Sequence, residues 1–186
     1  MTPVNWGDYT IEYQEAVSVL LNDKTWKREF TVFPIVFLYR HYIELKLKEI
    51  ILNNWEFLER IKPFPKGHDI YKLWKICREC LEETDKLIDP GFTQSREYVK
   101  QIIGAYNALE ADLIKFAEID PDSQHFRYPV DSQGNPILVD NKLLSKLRSE
   151  LPGLVKRISY NLDGISTGIY TILQDKYEHL AQQKYP

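Results

Sequence analysis

Between residues 143 and 172, aliphatic side chains recur at intervals of three and four: Leu143, Leu144, Leu147, Leu151, Leu154, Ile158, Leu162, Ile165, Ile169 and Ile172. That spacing gathers them on one side of an α-helix but would scatter them over both faces of a strand. A stripe this long and this apolar needs other helices to cover it, so the chain is directed to a helical bundle from its C-terminal part alone. Asp140 is placed to cap the start of this segment, which runs to about Leu180, and Pro152-Gly153 predicts a kink or a break within it.

Four further segments carry the same period. Tyr9 to Leu21 sets Ile11, Ala16, Val19 and Leu20 as a stripe, and Pro34 to Leu52 is the most apolar stretch, weakened at Asn53 and Asn54. Pro63 and Pro65 then end any helix. Asp69 to Leu87 places Ile70, Leu73, Trp74, Cys77 and Leu81 on one face, and a turn at Asp89-Pro-Gly91 separates it from the next helix. That fourth helix is capped by Ser95 and runs to about Glu118, with Val99, Ile102, Ile103, Tyr106, Leu109, Leu113 and Phe116 inward. Residues 120 to 136 are rich in turn formers, and Phe126–Val130 and Ile137–Val139 predict a short hairpin or irregular insertion around Gly134. The expected fold is one all-α domain, an up-and-down bundle of about five helices with that insertion before the last.

The net charge is −3 over 186 residues, so there is no domain-wide positive field for nucleic acid, and a polyanion site must come from a local patch. No run approaches the roughly 20 apolar residues of a membrane span, and the acidic first twenty residues do not read as a signal peptide. The only cysteines, Cys77 and Cys80, form a single C-x2-C inside a helix. Zinc needs four ligands and none complete the set, so both are expected as core thiols in a reducing cytoplasm. No metal and no cofactor are expected. Phosphate-loop, dinucleotide-binding, zinc-protease and serine-hydrolase motifs are all missing.

Polar residues appear where the pattern asks for apolar ones. At 100° per residue, Arg40, His41, Glu44 and Lys48 fall within about one third of the second helix. Large apolar residues, Phe37 and Ile51, bracket them at the same angles. A charged stripe on such a helix is either a solvated face with Arg40 and Glu44 paired at i, i+4, or one wall of a cleft. His68 and Asp69 open the third helix, where Asp69 is also a natural cap. His125, Arg127, Tyr128 and Asp131 lie in the insertion, where aromatic neighbours could hold the arginine rigid for an anion.

Three blocks carry a resemblance: Arg40-His-Tyr-Ile-Glu-Leu-Lys-Leu-Lys-Glu49, Gly67-His-Asp-Ile-Tyr-Lys-Leu-Trp74 and Ser123-Gln-His-Phe-Arg-Tyr-Pro-Val-Asp131. In this order they resemble a prokaryotic branch of HEPN-type helical domains. The resemblance implies an intracellular bundle, often a homodimer, of a kind found in toxin–antitoxin systems, phage defence and RNA processing. Many such domains are metal-independent ribonucleases, with four to six residues separating an Arg from a catalytic His that follows it. Here the positions that would hold that Arg, 34–36, 61–63, 118–120 and 172–174, contain none.

The expectation is therefore a non-catalytic module that binds a nucleotide, RNA or a protein through Arg40, His41, Glu44, Lys48, His68, Asp69, Arg127, Tyr128 and Asp131. Two alternatives stand beside it. One is a ribonuclease with a different site built on His68, His125 and Arg127. The other is a purely structural one, in which the polar stripe and residues 126 to 131 form a buried network that fixes the last helix against the second, with no ligand.

Overall fold

The structure, a computed structural model, describes residues 5–23, 31–88, 93–119, 126–128, 130, 133–136, 138 and 140–184. Five helices make up the fold: α1 (Trp6–Asn22), α2 (Val32–Phe57), α3 (Ile70–Leu87), α4 (Thr93–Ile119) and α5 (Asn141–Lys184). Each packs on its neighbour in the chain, and α2 packs on α5 as well, which closes the bundle around α2. Among the described residues no helix is long and apolar enough to cross a membrane.

The stripe in α5 is as the spacing requires, with Leu144 through Ile172 buried at every predicted position and only Leu143, in the first turn, partly exposed. Asp140 caps the helix, its Oδ1 accepting the Leu143 amide. Pro152 neither ends nor divides α5, which continues for 44 residues, roughly 66 Å. A proline inside a helix loses one hydrogen bond and costs about 3 kcal/mol. Burial of Leu151 and Leu154 on either side offsets that cost.

Three sequence expectations are corrected by packing. In α1 the buried positions are Thr10 and Val17, while Ile11 and Val19 are exposed. This helix packs against α2 along Thr10, Tyr13, Val17, Leu20 and Leu21, one step round from the predicted stripe. In α4, which begins at Thr93 and so contains Ser95 rather than being capped by it, Ile103 is exposed beside buried Ile102. The second helix does not weaken at its asparagines but extends to Phe57. Asn54 is fully buried, donating to the Ile50 carbonyl and accepting from the Thr84 hydroxyl of α3 at 2.9 Å, so the expected weak point is a cross-link.

The predicted hairpin reduces, among the described residues, to one antiparallel bridge between Val130 and Pro136, with Gly134 at φ 84° in the turn. Ile137 and Val139 lie outside the described residues. Phe126, the first residue of the predicted hairpin, rests on α2: it is buried, and its ring lies 5.6 Å from that of Phe33. A two-stranded element has too little apolar area to stand alone.

Glycines in the long helices differ in what surrounds them. A Cβ at Gly168 would come within 2.6 Å of Ile102 Cδ1 and 2.8 Å of its Cγ1, because α4 and α5 approach closely there. At Gly104 and Gly164 a Cβ meets nothing within 4 Å. Gly104→Ala and Gly164→Ala should each raise stability by about 0.5–1 kcal/mol through helix propensity. Gly168→Val should lower it by about 1–3 kcal/mol through overpacking. Urea unfolding of the three variants checks both signs.

Candidate functional site

The polar stripe of α2 is not a solvated face. Arg40, Glu44 and Lys48 are 4 %, 4 % and 6 % exposed. They are covered by the segment that crosses from α2 to α3, which the prolines keep out of a helix and in which Pro65 is itself buried. Phe64 of this segment stacks on Trp6 of α1 at 5.4 Å, and the Lys48 ammonium lies 5.4 Å from the Phe64 ring centre. Gly67, at φ 101°, takes the left-handed turn that glycine tolerates and that leads into His68.

Glu44 is the hub. Its Oε1 accepts from Lys48 Nζ at 2.7 Å and lies 2.9 Å from His68 Nδ1, and its Oε2 is 4.0 Å from the Arg40 guanidinium. Arg40 in turn donates to the His68 carbonyl at 2.8 Å. Burial by itself pushes the Glu44 carboxyl up. The Lys48 ammonium, bonded to it, and His68 outweigh that, and the group is held below the usual carboxylate range.

His68 is the outer member of this set, with 72 % of its side chain exposed. The carboxylate fixes one ring nitrogen and leaves Nε2 facing outward. Asp69 stands apart from the hub: its Oδ1 accepts the Tyr71 and Lys72 amides at 3.0 Å, and it is the cap of α3.

His41 is half-buried and meets Tyr13 of α1 edge to face at 4.6 Å. Burial lowers its affinity for a proton; Glu44 opposes this, while the positive charges of Arg127, Lys48 and His68 lower it further. The Arg127 guanidinium sits 5.1 Å over the Phe37 ring, and both it and Tyr128 are exposed. His125 and Asp131 lie outside the described residues.

Arg40, His41, Glu44, Lys48, His68 and Arg127 are thus brought to one side, where the aromatic members Phe37 and Phe64 complete the surface. Phe37 is legible in the sequence as the turn before Arg40 and His41. Phe64 is not, because its place depends on how the proline segment folds back.

Sequence reasoning also missed a second polar junction, on another side of α2. Asp163 of α5 accepts from Gln14 at 3.0 Å and from the Tyr42 hydroxyl at 3.1 Å, while Ser166 donates to Glu49 at 3.0 Å. Lys46 lies between Glu49 and Asp163. This junction ties α1, α2 and α5 together.

Among the described residues no group of three or more His, Cys, Asp or Glu side chains is arranged to hold a metal ion. Cys77 and Cys80 are buried free thiols. Cys77 donates to the Leu47 carbonyl, and burial pushes both thiols up, which suits core positions rather than nucleophiles. Comparison of the chain with protein-family models, with curated proteins and with solved structures gives no match.

Proposed function

We propose that this chain is a non-catalytic, HEPN-like binding module whose α2 face receives a phosphate-bearing ligand, a nucleotide or single-stranded RNA. One observation carries the reading. Arg40, Lys48 and the exposed imidazole of His68 gather around the Glu44 carboxylate with the Phe64 ring beside them, and Arg127 lies over the Phe37 ring about two turns earlier on the same helix. Cations over aromatic faces suit a ligand that offers phosphates and flat bases together. His68 and Arg127 are the exposed groups that touch it, and the buried Arg40 and Lys48 supply field from below.

Anisotropy of a labelled mixed-sequence RNA, with ATP as competitor, tests the proposal. Arg127→Ala and His68→Ala should each weaken binding by about tenfold or more. Because Arg127 is exposed, Arg127→Ala should melt close to the wild type, whereas His68→Ala also removes a bond to buried Glu44 and should lower stability by about 1–3 kcal/mol. Unchanged affinity in both variants would overturn the reading.

A ribonuclease is the second reading, favoured by the Glu44–His68 contact. A carboxylate on Nδ1 holds an imidazole in the tautomer whose Nε2 exchanges protons, and arginines beside it could stabilise a phosphorane. Cleavage of the same RNA in EDTA by wild type, but by neither variant, selects this reading over simple binding. A third reading, a network that only braces the bundle, predicts that no ligand assay responds to either variant. The module is further proposed to work as a homodimer in a reducing cytoplasm, and sedimentation at micromolar concentration tests the dimer.

A further inference from the structure

The buried stripe occupies one side of α5, and a second seam runs along the side that faces out. Tyr160, Asp163, Thr167, Tyr170, Gln174 and Tyr177 recur at alternating intervals of three and four, the spacing by which one helix meets another along a line. Asp163 is half-buried and the others are exposed, with Tyr160, at 80 %, the most exposed aromatic side chain among the described residues. Residues 164 to 174 hold no charged side chain, although residues 142 to 157 of the same helix hold six. The outer face of a helix is ordinarily charged, and a tyrosine-bearing face without charge has the composition of an interface.

The polar groups along this seam are already satisfied within the chain. The Thr171 hydroxyl donates to the Thr167 carbonyl, the Gln174 amide donates to the Tyr170 hydroxyl, and the Tyr177 hydroxyl donates to Glu56. Asp163 accepts from Gln14 and Tyr42. Covering the face would therefore leave few groups without a partner, which keeps the cost of removing water low.

The ends of the seam say what fits it. Lys156 and Glu178 are both exposed and, at 100° per residue, lie within about 40° of each other on the helix, one beyond each end of the uncharged stretch. A second copy of α5 laid parallel would set like charges together at both ends. Laid antiparallel, it sets Lys156 of each protomer within a turn of the other's Glu178. A two-fold axis passing between Thr167 and Tyr170 also brings Tyr160 beside the partner subunit's Tyr177. There a groove of about 440 Å³, lined by Asn53 and Glu56 of α2 and by Tyr170, Leu173, Gln174 and Tyr177 of α5, is open to receive a ring. The projecting group and the recess lie on one surface, at equal distances from the axis, as a self-complementary contact requires.

We infer that this chain pairs with a second copy of itself through the outward face of α5, antiparallel, with Tyr160 of each protomer seated against the Tyr170–Tyr177 groove of the other. The inference rests on the homodimer of the proposed reading and gives it a surface. It leaves the polar face of α2 open on each protomer, because α5 packs on another side of α2.

Sedimentation equilibrium of the full chain at micromolar concentration tests it. Wild type should be a dimer. Thr167→Glu sets two carboxylates at the centre of the contact and should give a monomer with unchanged helical circular dichroism, since position 167 is exposed. Lys156→Glu and Glu178→Lys should each weaken the dimer by about tenfold, and the double variant should restore it. A monomeric wild type would overturn the inference together with the homodimer and leave the seam to a different protein. A wild-type dimer that Thr167→Glu leaves intact would overturn the α5 surface alone, and a double variant no tighter than the single ones would overturn the antiparallel pairing.

Discussion

Glu44→Ala should be among the most damaging single substitutions in the molecule, lowering stability by about 3–5 kcal/mol, or roughly 10 °C or more in Tm for a chain of this size. The loss does not come from a missing attraction alone. Arg40 and Lys48 are buried at 4 % and 6 % exposure, and without the carboxylate they become like charges sharing a site shielded from water. Glu44→Gln keeps the shape but not the charge and should cost nearly as much. The double variant Glu44→Leu, Lys48→Met should recover part of the loss, because a buried ion pair replaced by apolar groups of similar size is often neutral. A double variant as unstable as the sum of its parts would show that the pair does not act as a unit.

The same group gives a pH signature with a definite sign. The folded carboxyl of Glu44 lies below its unfolded value, so its contribution to stability is fully present above the unfolded pKa, about 4.3. That contribution is lost as pH falls through the lower, folded value. Wild type should therefore lose stability steeply below about pH 4.5, whereas Glu44→Gln, already destabilised, should show a shallower acid limb. Chemical denaturation at a series of pH values checks the slopes.

Trp74→Ala should cost about 3–5 kcal/mol. Trp74 is 1 % exposed and stacks on Tyr106 at 4.3 Å, joining α3 to α4. Trp74→Phe should cost only about 1 kcal/mol. It keeps a ring against Tyr106 and removes an indole N–H that, among the described residues, has no hydrogen-bond partner. The Tyr106 hydroxyl is in the same position, so Tyr106→Phe should be neutral or stabilising by up to about 1 kcal/mol. Urea midpoints for the three variants separate ring packing from polar cost. A strongly destabilised Tyr106→Phe would mean that the hydroxyl bonds in solution.

Much of the bundle is legible in the amino-acid sequence because helix formation and stripe direction are local. The spacing of Leu147, Leu151, Leu154 and Ile158 gives a helix whatever it packs on, and Asp69 and Asp140 cap their helices through bonds only two and three residues away. The sequence misleads where packing on another segment decides the outcome. Asn54 reads as a weak point until Thr84 is opposite it, Pro152 reads as a kink or a break until α4 packs along α5, and the stripe of α1 shifts because α2 is its main support. In the candidate site the sequence supplied the residues Arg40, Glu44, Lys48, His68 and Arg127 and the i, i+4 pairing of Arg40 with Glu44, but neither their burial nor the contacts that His68 and Arg127 make with α2.

The sequence by itself determined five amphipathic helices, the Asp69 and Asp140 caps of α3 and α5, and a charged stripe on the most apolar helix, because hydrophobic period and capping depend on neighbours a few positions away. Only the tertiary structure decided that the stripe is buried. That outcome depends on the proline segment folding back through Gly67, carrying Phe64 and His68 onto α2, and on Arg127 arriving over Phe37 from a distant part of the chain. A charge is a solvated face or a bonded hub according to what excludes water from it, and the groups that do so here are far from it in the sequence.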